Sequence, residues 1–148
     1  MSISFIYYFL MLFTMSTSDM RTDMKIQPWK HWNDVQVFYF YDSRMPNNMS
    51  KELGVLTQDL LERQYGQRLK DERIRFYKID LASPNGEAVG RKLDITMTGL
   101  VVSRRNRARN LTQIAYSMVL TDPVGFQQHL AYTIEKLLPS KYRTPVTP

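Results

Sequence analysis

Residues 35–50 read VQVFYFYDSRMPNNMS, and this stretch contains the transition that decides the fold. Its first seven residues are dense in β-branched and aromatic side chains, which predicts a buried strand. The polar residues that follow favour a turn; Pro46 suits the first position of a helix, and either Asn47 or Asn48 can cap a slightly later start. The next apolar residues recur at helical spacing: Met49, Leu53, Leu56 and Leu60. A strand, a tight polar turn and an amphipathic helix are therefore expected in direct succession.

Three more strands are predicted downstream: one marked by Ile74, Phe76 and Ile79, one over Thr98–Ser103, and a short one near Ala108 to Thr112. The first helix is predicted to end near Tyr65, with Gly66 as its stop. Residues 83–86 (Ser-Pro-Asn-Gly) predict a turn before a short second helix. Arg105 and Asn106 predict a hairpin turn between the last two strands.

A closing helix is predicted from Asp122 and Pro123, since Asp is a favoured N-cap and Pro suits the first helical position. One face of this helix carries apolar residues for the core: Phe126, Leu130, Ile134 and Leu137. The resulting order is strand, helix, strand, helix, strand, strand, helix. We therefore expect an α/β protein with a thioredoxin-like fold, in which helices flank a central mixed four-stranded sheet.

The residue content excludes several kinds of chemistry. The chain of 148 residues has no cysteine, which excludes disulfides, thiolate catalysis and thiolate metal sites. The only imidazoles are His31 and His129, so a zinc site would need carboxylates to complete it. No nucleophile elbow, phosphate-binding glycine loop or paired-carboxylate signature occurs. We predict no catalytic residue, no metal site and no cofactor.

The chain divides into four predicted segments. Residues 1–18 form an apolar segment with the length of a signal-peptide core or short anchor, and residues 19–34 form a linker. Residues 35–139 form the domain, and residues 140–148 a flexible tail. We expect a protein that is exported to the periplasm or tethered to a membrane. The alternatives are a misassigned start or an apolar segment that packs on the domain, either of which would leave a cytoplasmic protein.

Three stretches carry a resemblance to a known group: VQVFYFYDSRMPNNMSK, RIRFYKIDLASPNGEAVGRKLDIT, and TGLVVS followed by NLTQIAYSMVLTDPVGFQQHLAYTIEKLL. Together they resemble the ArsF family of small bacterial thioredoxin-fold proteins, described as nitrophenyl compound nitroreductase subunits. The likeness covers about residues 35–138. It implies a redox turn whose two cysteines would fall on or near Met45 and Asn48, so the Cys-x-x-Cys pair is lost here.

The same resemblance indicates where a partner would bind. Thioredoxins present backbone for peptide binding at the turn and at a cis-proline loop facing it, which here reads TMTGLVV without proline. The predicted partner-binding residues come from these two stretches: Met45, Pro46, Asn47, Asn48, Thr98 and Gly99. The start of the helix after the turn keeps its positive end, so an anion is an alternative occupant, and an ordinary capped helix without a ligand is another.

A cluster of arginines predicts an anion-binding hairpin: Arg104, Arg105, Arg107 and Arg109. The alternation of positions is expected to point their guanidinium groups to both sides of the hairpin. The net charge of +6 also favours anionic partners, although charge of this size can serve solubility alone. An anionic membrane surface or an acidic partner suits the cluster, whereas no recognition motif favours nucleic acid.

The sequence thus predicts a thioredoxin-like domain without thiol–disulfide activity that acts as a protein-binding or accessory module. The alternatives are an accessory subunit of a reductase, as the ArsF resemblance implies, and binding of an anionic membrane or nucleic acid through residues 104–109.

Overall fold

The computed structural model describes residue 31 and residues 33–144. The predicted apolar segment 1–18, nearly all of the linker 19–34 and the end of the tail lie outside the described residues. The predictions for those segments therefore stay predictions.

Four strands and four α-helices make up the described chain. The strands are β1 (Val35–Tyr41), β2 (Ile74–Asp80), β3 (Gly99–Arg104) and β4 (Arg107–Asn110). The helices are α1 (Asn48–Lys70), α2 (Pro84–Lys92), α3 (Thr112–Met118) and α4 (Pro123–Leu137), followed by a 3₁₀ turn at Ser140–Tyr142. The sheet order is β2-β1-β3-β4, with β1 parallel to β2 and each remaining pair antiparallel.

The alternation of side chains along β1 divides the core into two layers. Val35, Val37 and Tyr39 face α1, α3 and α4, whereas Phe38 and Phe40 face α2. Because helices cover both faces, the strand is apolar nearly throughout, as the sequence predicts for a central strand. Each of these buried side chains contributes about 1.5–3 kcal/mol through removal from water.

The first helix is longer than predicted, so the proposed stop at Gly66 is wrong. The backbone of Tyr65 leaves helical geometry, with φ −123° and ψ 22°, but the helix resumes and continues to Lys70. Tyr65 is buried, and its hydroxyl donates to Glu135 Oε1 of α4 at 2.9 Å. The contact with α4 thus stabilises α1 at its irregular turn. Gly66, the residue after Tyr65, does not end the helix.

Two other local predictions need correction. The turn predicted at residues 83–86 is the beginning of α2: Ser83 is the N-cap, and its hydroxyl accepts a hydrogen bond from Gly86 N. The sequence analysis also missed α3, a seven-residue helix without a side-chain N-cap. Its first residue, Thr112, is held by β3, because Leu100 N donates to Thr112 Oγ1 at 3.3 Å.

The first residues of the predicted tail pack on the domain. Arg68 Nε donates to the carbonyl of Tyr142 at 3.0 Å, and Arg143 Nε donates to the carbonyl of Leu138 at 3.0 Å. The backbone N–H of Thr144 donates to the Glu135 carboxylate. Residues 140–144 therefore contact the domain after α4, and the flexibility predicted for residues 140–148 stays a prediction.

Candidate functional site

Hydrogen bonds fix the turn between β1 and α1 at both of its ends. Asn47 is the N-cap of α1, and its side-chain oxygen accepts from Ser50 N at 2.8 Å. At the other side, Ser43 N donates to the Asp80 carboxylate at 3.1 Å. Residues 43–48 between these anchors are exposed, and 71% of the Met45 surface is accessible. The turn is a fixed loop that displays its side chains to solvent.

Three hydroxyl groups lie beneath the turn. Tyr39 donates its hydroxyl hydrogen to the carbonyl of Ser50 at 2.7 Å, and its oxygen lies 3.3 Å from Ser50 Oγ. Thr98 Oγ1 donates to Ser50 Oγ at 3.4 Å, so the residue before β3 contacts the first turn of α1. Burial raises the pKa of Tyr39, and its hydrogen bond with Ser50 offsets only part of that effect. The cluster is neutral and rigidifies the base of the turn.

The two carboxylates beside the turn are already engaged. Asp42 forms a two-pronged ion pair with Arg44, at 2.9 Å and 2.8 Å, and this hydrogen bonding lowers the Asp42 pKa. Partial burial opposes ionisation of Asp80, but hydrogen bonds from Ser43 and Ala82 outweigh it and lower the Asp80 pKa. Neither group has its pKa raised toward neutrality, as a general acid or base would need.

The chemical groups at this site are few in kind. The turn offers thioether, amide and hydroxyl groups, and the chain has no thiol. Within residues 31 and 33–144, no group of three or more His, Asp or Glu side chains is placed to hold a metal ion. The arrangement suits recognition by shape and hydrogen bonding.

The structure brings the two predicted halves of the partner site together, but it gives them different exposure. Met45, Pro46, Asn47 and Asn48 are exposed, whereas Thr98 and Gly99 are buried. A Cβ atom on Gly99 would collide with Thr112 Oγ1 of α3, so Gly99 permits close packing there. Thr98 therefore supports the turn from within through Ser50, whereas Gly99 packs against α3.

The exposed part of the second stretch is Thr96 and Met97, which the sequence analysis did not single out. Met97 is 56% exposed directly before the buried Thr98. Thr96 and Met97 also line a cavity of about 340 Å³ with residues of α3. The only hint in the sequence was Met97 itself, an apolar residue at the end of a loop. Sequence alone does not distinguish such an exposed methionine from one in the core.

The arginine hairpin differs from the prediction in its orientation. In the β3–β4 register, Arg104 lies opposite Arg107, and Arg109 lies opposite Val102. Directly opposed residues share a sheet face, so Arg104, Arg107 and Arg109 all lie on the face that carries Val102. Arg105 occupies the turn with φ +55°. The prediction that the guanidinium groups point to both sides is wrong for the three strand residues.

Among the helices of the described residues, none has both the length and the apolar character needed to cross a membrane.

The strand order and connections define the class: a thioredoxin-like α/β domain, here in a chain without cysteine. Among solved structures, the chain is similar to the X-ray structure of Fasciola hepatica thioredoxin, with 12% identity and a TM-score of 0.43. That match covers 78% of this chain and 92% of the other. No protein-family model matches the sequence, and a search of curated proteins found no match.

Proposed function

We propose that this protein is a binding or accessory module in which the turn after β1 docks a partner protein and no thiol–disulfide exchange takes place. The observation that carries the proposal is the retention of a rigid, solvent-facing turn at the functional end of a thioredoxin-like sheet, in a chain that has no thiol. We call the exposed residues Met45, Pro46, Asn47, Asn48 and Met97 the turn surface.

The composition of the turn surface supports a protein ligand. Met45 and Met97 are two of the large apolar side chains that remain exposed, at 71% and 56%. Methionine is flexible and polarizable, so it adapts to apolar side chains of a partner. Asn48 adds an exposed amide group that can donate and accept hydrogen bonds at the rim, whereas the Asn47 amide already caps α1.

The rigidity of the base supports docking with little loss of conformational entropy. The Asn47 cap and the Tyr39–Ser50–Thr98 hydroxyl cluster fix the backbone that carries the exposed side chains. A surface that is ordered before binding loses less conformational freedom on association than a mobile loop does.

The nature of the partner follows from the ArsF resemblance as a further part of the proposal. That resemblance implies a larger reductase as the partner, with this chain as its accessory subunit. Export to the periplasm or tethering to a membrane likewise stays a prediction, because it depends on residues 1–18.

Site-specific photocrosslinking of the full chain in its native cells tests the proposal. A photoreactive phenylalanine analogue replaces Met45 in one variant and Met97 in another, and crosslinked products are identified by mass spectrometry. We expect the same discrete partner from both positions. A flavin- or metal-containing reductase as that partner would support the subunit role.

The matched control places the analogue at Val124, which is 64% exposed at the start of α4. A product that forms equally from Val124 and the turn surface indicates non-specific contact and argues against the proposal. A Met45→Glu variant that retains full affinity for the identified partner would also contradict it.

A further inference from the structure

A pocket of about 320 Å³ lies at the end of the sheet where β1 and β2 begin. Four cationic residues line it, and a single acidic residue, Asp34, accompanies them: Arg73, Arg104, Arg105 and Lys141. Formal charges of four positive and one negative leave this pocket with a net charge of +3. We call it the basic pocket.

The sheet topology explains why distant residues meet there. Strands β1 and β2 are parallel and start at the same edge, which places Asp34 next to Arg73. Strand β3 is antiparallel to β1 and ends at that edge, which adds Arg104 and Arg105. The 3₁₀ turn after α4 contributes Lys141. The basic pocket is therefore at the opposite end of β1 from the turn surface.

The two hairpin arginines are oriented by Asn33, which precedes β1. Arg104 Nε donates to the carbonyl of Asn33 at 2.8 Å, and Arg105 Nε donates to Asn33 Oδ1 at 3.0 Å. Each bond uses the inner nitrogen of the guanidinium group, and the terminal nitrogens of both donate to no described residue. Two guanidinium ends thus have donors to spare, in the fixed geometry that suits phosphate oxygens.

The charges around Arg104 repel one another. Partial burial lowers the pKa of Arg104, and the positive charges of Arg105 and Arg107 lower it further. Arginine stays protonated at neutral pH all the same, so the repulsion persists in the free protein. An anion between these groups would reduce it.

The acidic residue is largely compensated by its own partners. Asp34 lies 3.5 Å from Arg75 Nε and 4.0 Å from Arg73 Nη1. Arg73 also stacks over the ring of Tyr142, 4.7 Å from its centroid, which holds that cation at the pocket wall. The Tyr142 ring thus fixes the position of one of the cations that line the pocket.

We infer that the basic pocket binds a phosphate group of a small ligand or of a lipid headgroup, with Arg104, Arg105 and Lys141 as the principal contacts. The charge of +3 and the spare guanidinium donors fit a polyvalent anion better than a single carboxylate. These three contact residues line a pocket, whereas Arg107 and Arg109 lie on the exposed edge strand β4 outside it.

Titration of the full ¹⁵N-labelled chain with inorganic pyrophosphate in about 100 mM NaCl tests the inference. Salt at this concentration limits the Debye length to about 10 Å, which screens long-range attraction. We expect saturable shifts of the side-chain Nε–Hε signals of Arg104 and Arg105. The double variant Arg105→Glu/Lys141→Glu should weaken binding tenfold or more.

The matched control is Arg107→Glu/Arg109→Glu, which changes the net charge equally on the neighbouring exposed strand. It should alter the dissociation constant less than threefold. Equal weakening by both variants would indicate general electrostatic attraction and overturn the inference, as would the absence of saturable binding by the wild-type chain. Dispersed amide spectra of both variants establish that each is folded.

A second measurement distinguishes the two sources of phosphate. Phosphatidylcholine vesicles with 20% phosphatidic acid, at about the same salt, present a phosphomonoester headgroup. Cosedimentation that pyrophosphate displaces, and that Arg105→Glu/Lys141→Glu abolishes, assigns the pocket to a lipid headgroup. Pyrophosphate binding without cosedimentation assigns it to a soluble phosphate ligand. Vesicle binding that depends on Arg107 and Arg109 and resists pyrophosphate contradicts a pocket site.

Discussion

At the scale of single residues, the site depends on close packing beneath the turn. A Cβ atom added to Gly54 of α1 would lie 2.8 Å from the ring of Tyr39. That ring is buried and its hydroxyl is bonded to Ser50, so it cannot move aside without loss of the hydrogen bond. Gly66 of the same helix has no neighbour within 4 Å of an added Cβ. A side chain is thus excluded at Gly54 by close packing, whereas Gly66 of the same helix has room for one.

Substitution of these glycines gives opposite changes in stability. Gly54→Ala should lower the free energy of unfolding by about 1–2 kcal/mol, because overpacking outweighs the helix propensity of alanine. Gly66→Ala should raise it by about 0.5–1 kcal/mol, because alanine favours the helix and meets no clash. Urea unfolding followed by circular dichroism measures both. A stabilising Gly54→Ala would show that the Tyr39 ring yields easily and that the base of the turn is not rigid.

At the scale of elements, Asp80 joins the end of β2 to the turn after β1. Its Oδ1 atom accepts hydrogen bonds from Ser43 N at 3.1 Å and Ala82 N at 2.9 Å. These bonds favour the ionised carboxylate, so its pKa in the folded protein lies below the ordinary value of 3.8. A depressed pKa adds stability above the unfolded-state pKa, and that stability is lost as the pH falls through the folded value.

The Asp80→Asn variant should therefore flatten the acid side of the stability profile. We expect the unfolding free energy of the wild-type chain to fall more steeply than that of the variant as the pH drops below about 4. Urea unfolding at several pH values between 2.5 and 7 measures this difference. Glu52→Gln is the control, since Glu52 is exposed in α1 and forms no hydrogen bond or ion pair with a described residue. Parallel profiles for wild type and Asp80→Asn would contradict the assigned role of Asp80.

The elements also show how far local sequence signals reach. The sequence predicted β1 at its observed bounds, and it predicted the start of α4, because a seven-residue apolar run and an Asp-Pro cap are strong local signals. It missed α3, whose start depends on Thr112 and Leu111 contacting Leu100 of β3. It ended α1 too early because the buried packing of Tyr65 against α4 outweighs local propensity.

At the scale of the whole molecule, the chain after α4 ties together segments that are far apart in sequence. The ring of Tyr142 has three cations around it: Arg73 at 4.7 Å, Lys141 at 4.9 Å and Arg68 at 5.4 Å. These residues come from the end of α1, the start of β2 and the 3₁₀ turn. Tyr142 therefore stabilises the end of the sheet that contains the basic pocket.

Removal of this ring should destabilise the whole domain. Tyr142→Ala is expected to lower the free energy of unfolding by about 1–2 kcal/mol through loss of the cation–π contacts and their packing. The matched change is Tyr132→Ala in α4, a 63% exposed tyrosine near Lys136 alone, which should cost about 0.5 kcal/mol or less. Thermal or urea unfolding measures both. Equal effects would mean that residues 140–144 add little to stability.

The sequence by itself determined the order of strands along the chain, the capped start of α4 and the lack of thiol groups. These properties follow from local periodicity, capping residues and residue content, which act over a few positions. Only the tertiary structure decided that Thr98 supports the turn from within, that Arg104, Arg107 and Arg109 share one face, and that Arg73 and Lys141 join the hairpin in a pocket. Strand register and long-range packing create those neighbourhoods, because they bring together residues that have no local signal for one another.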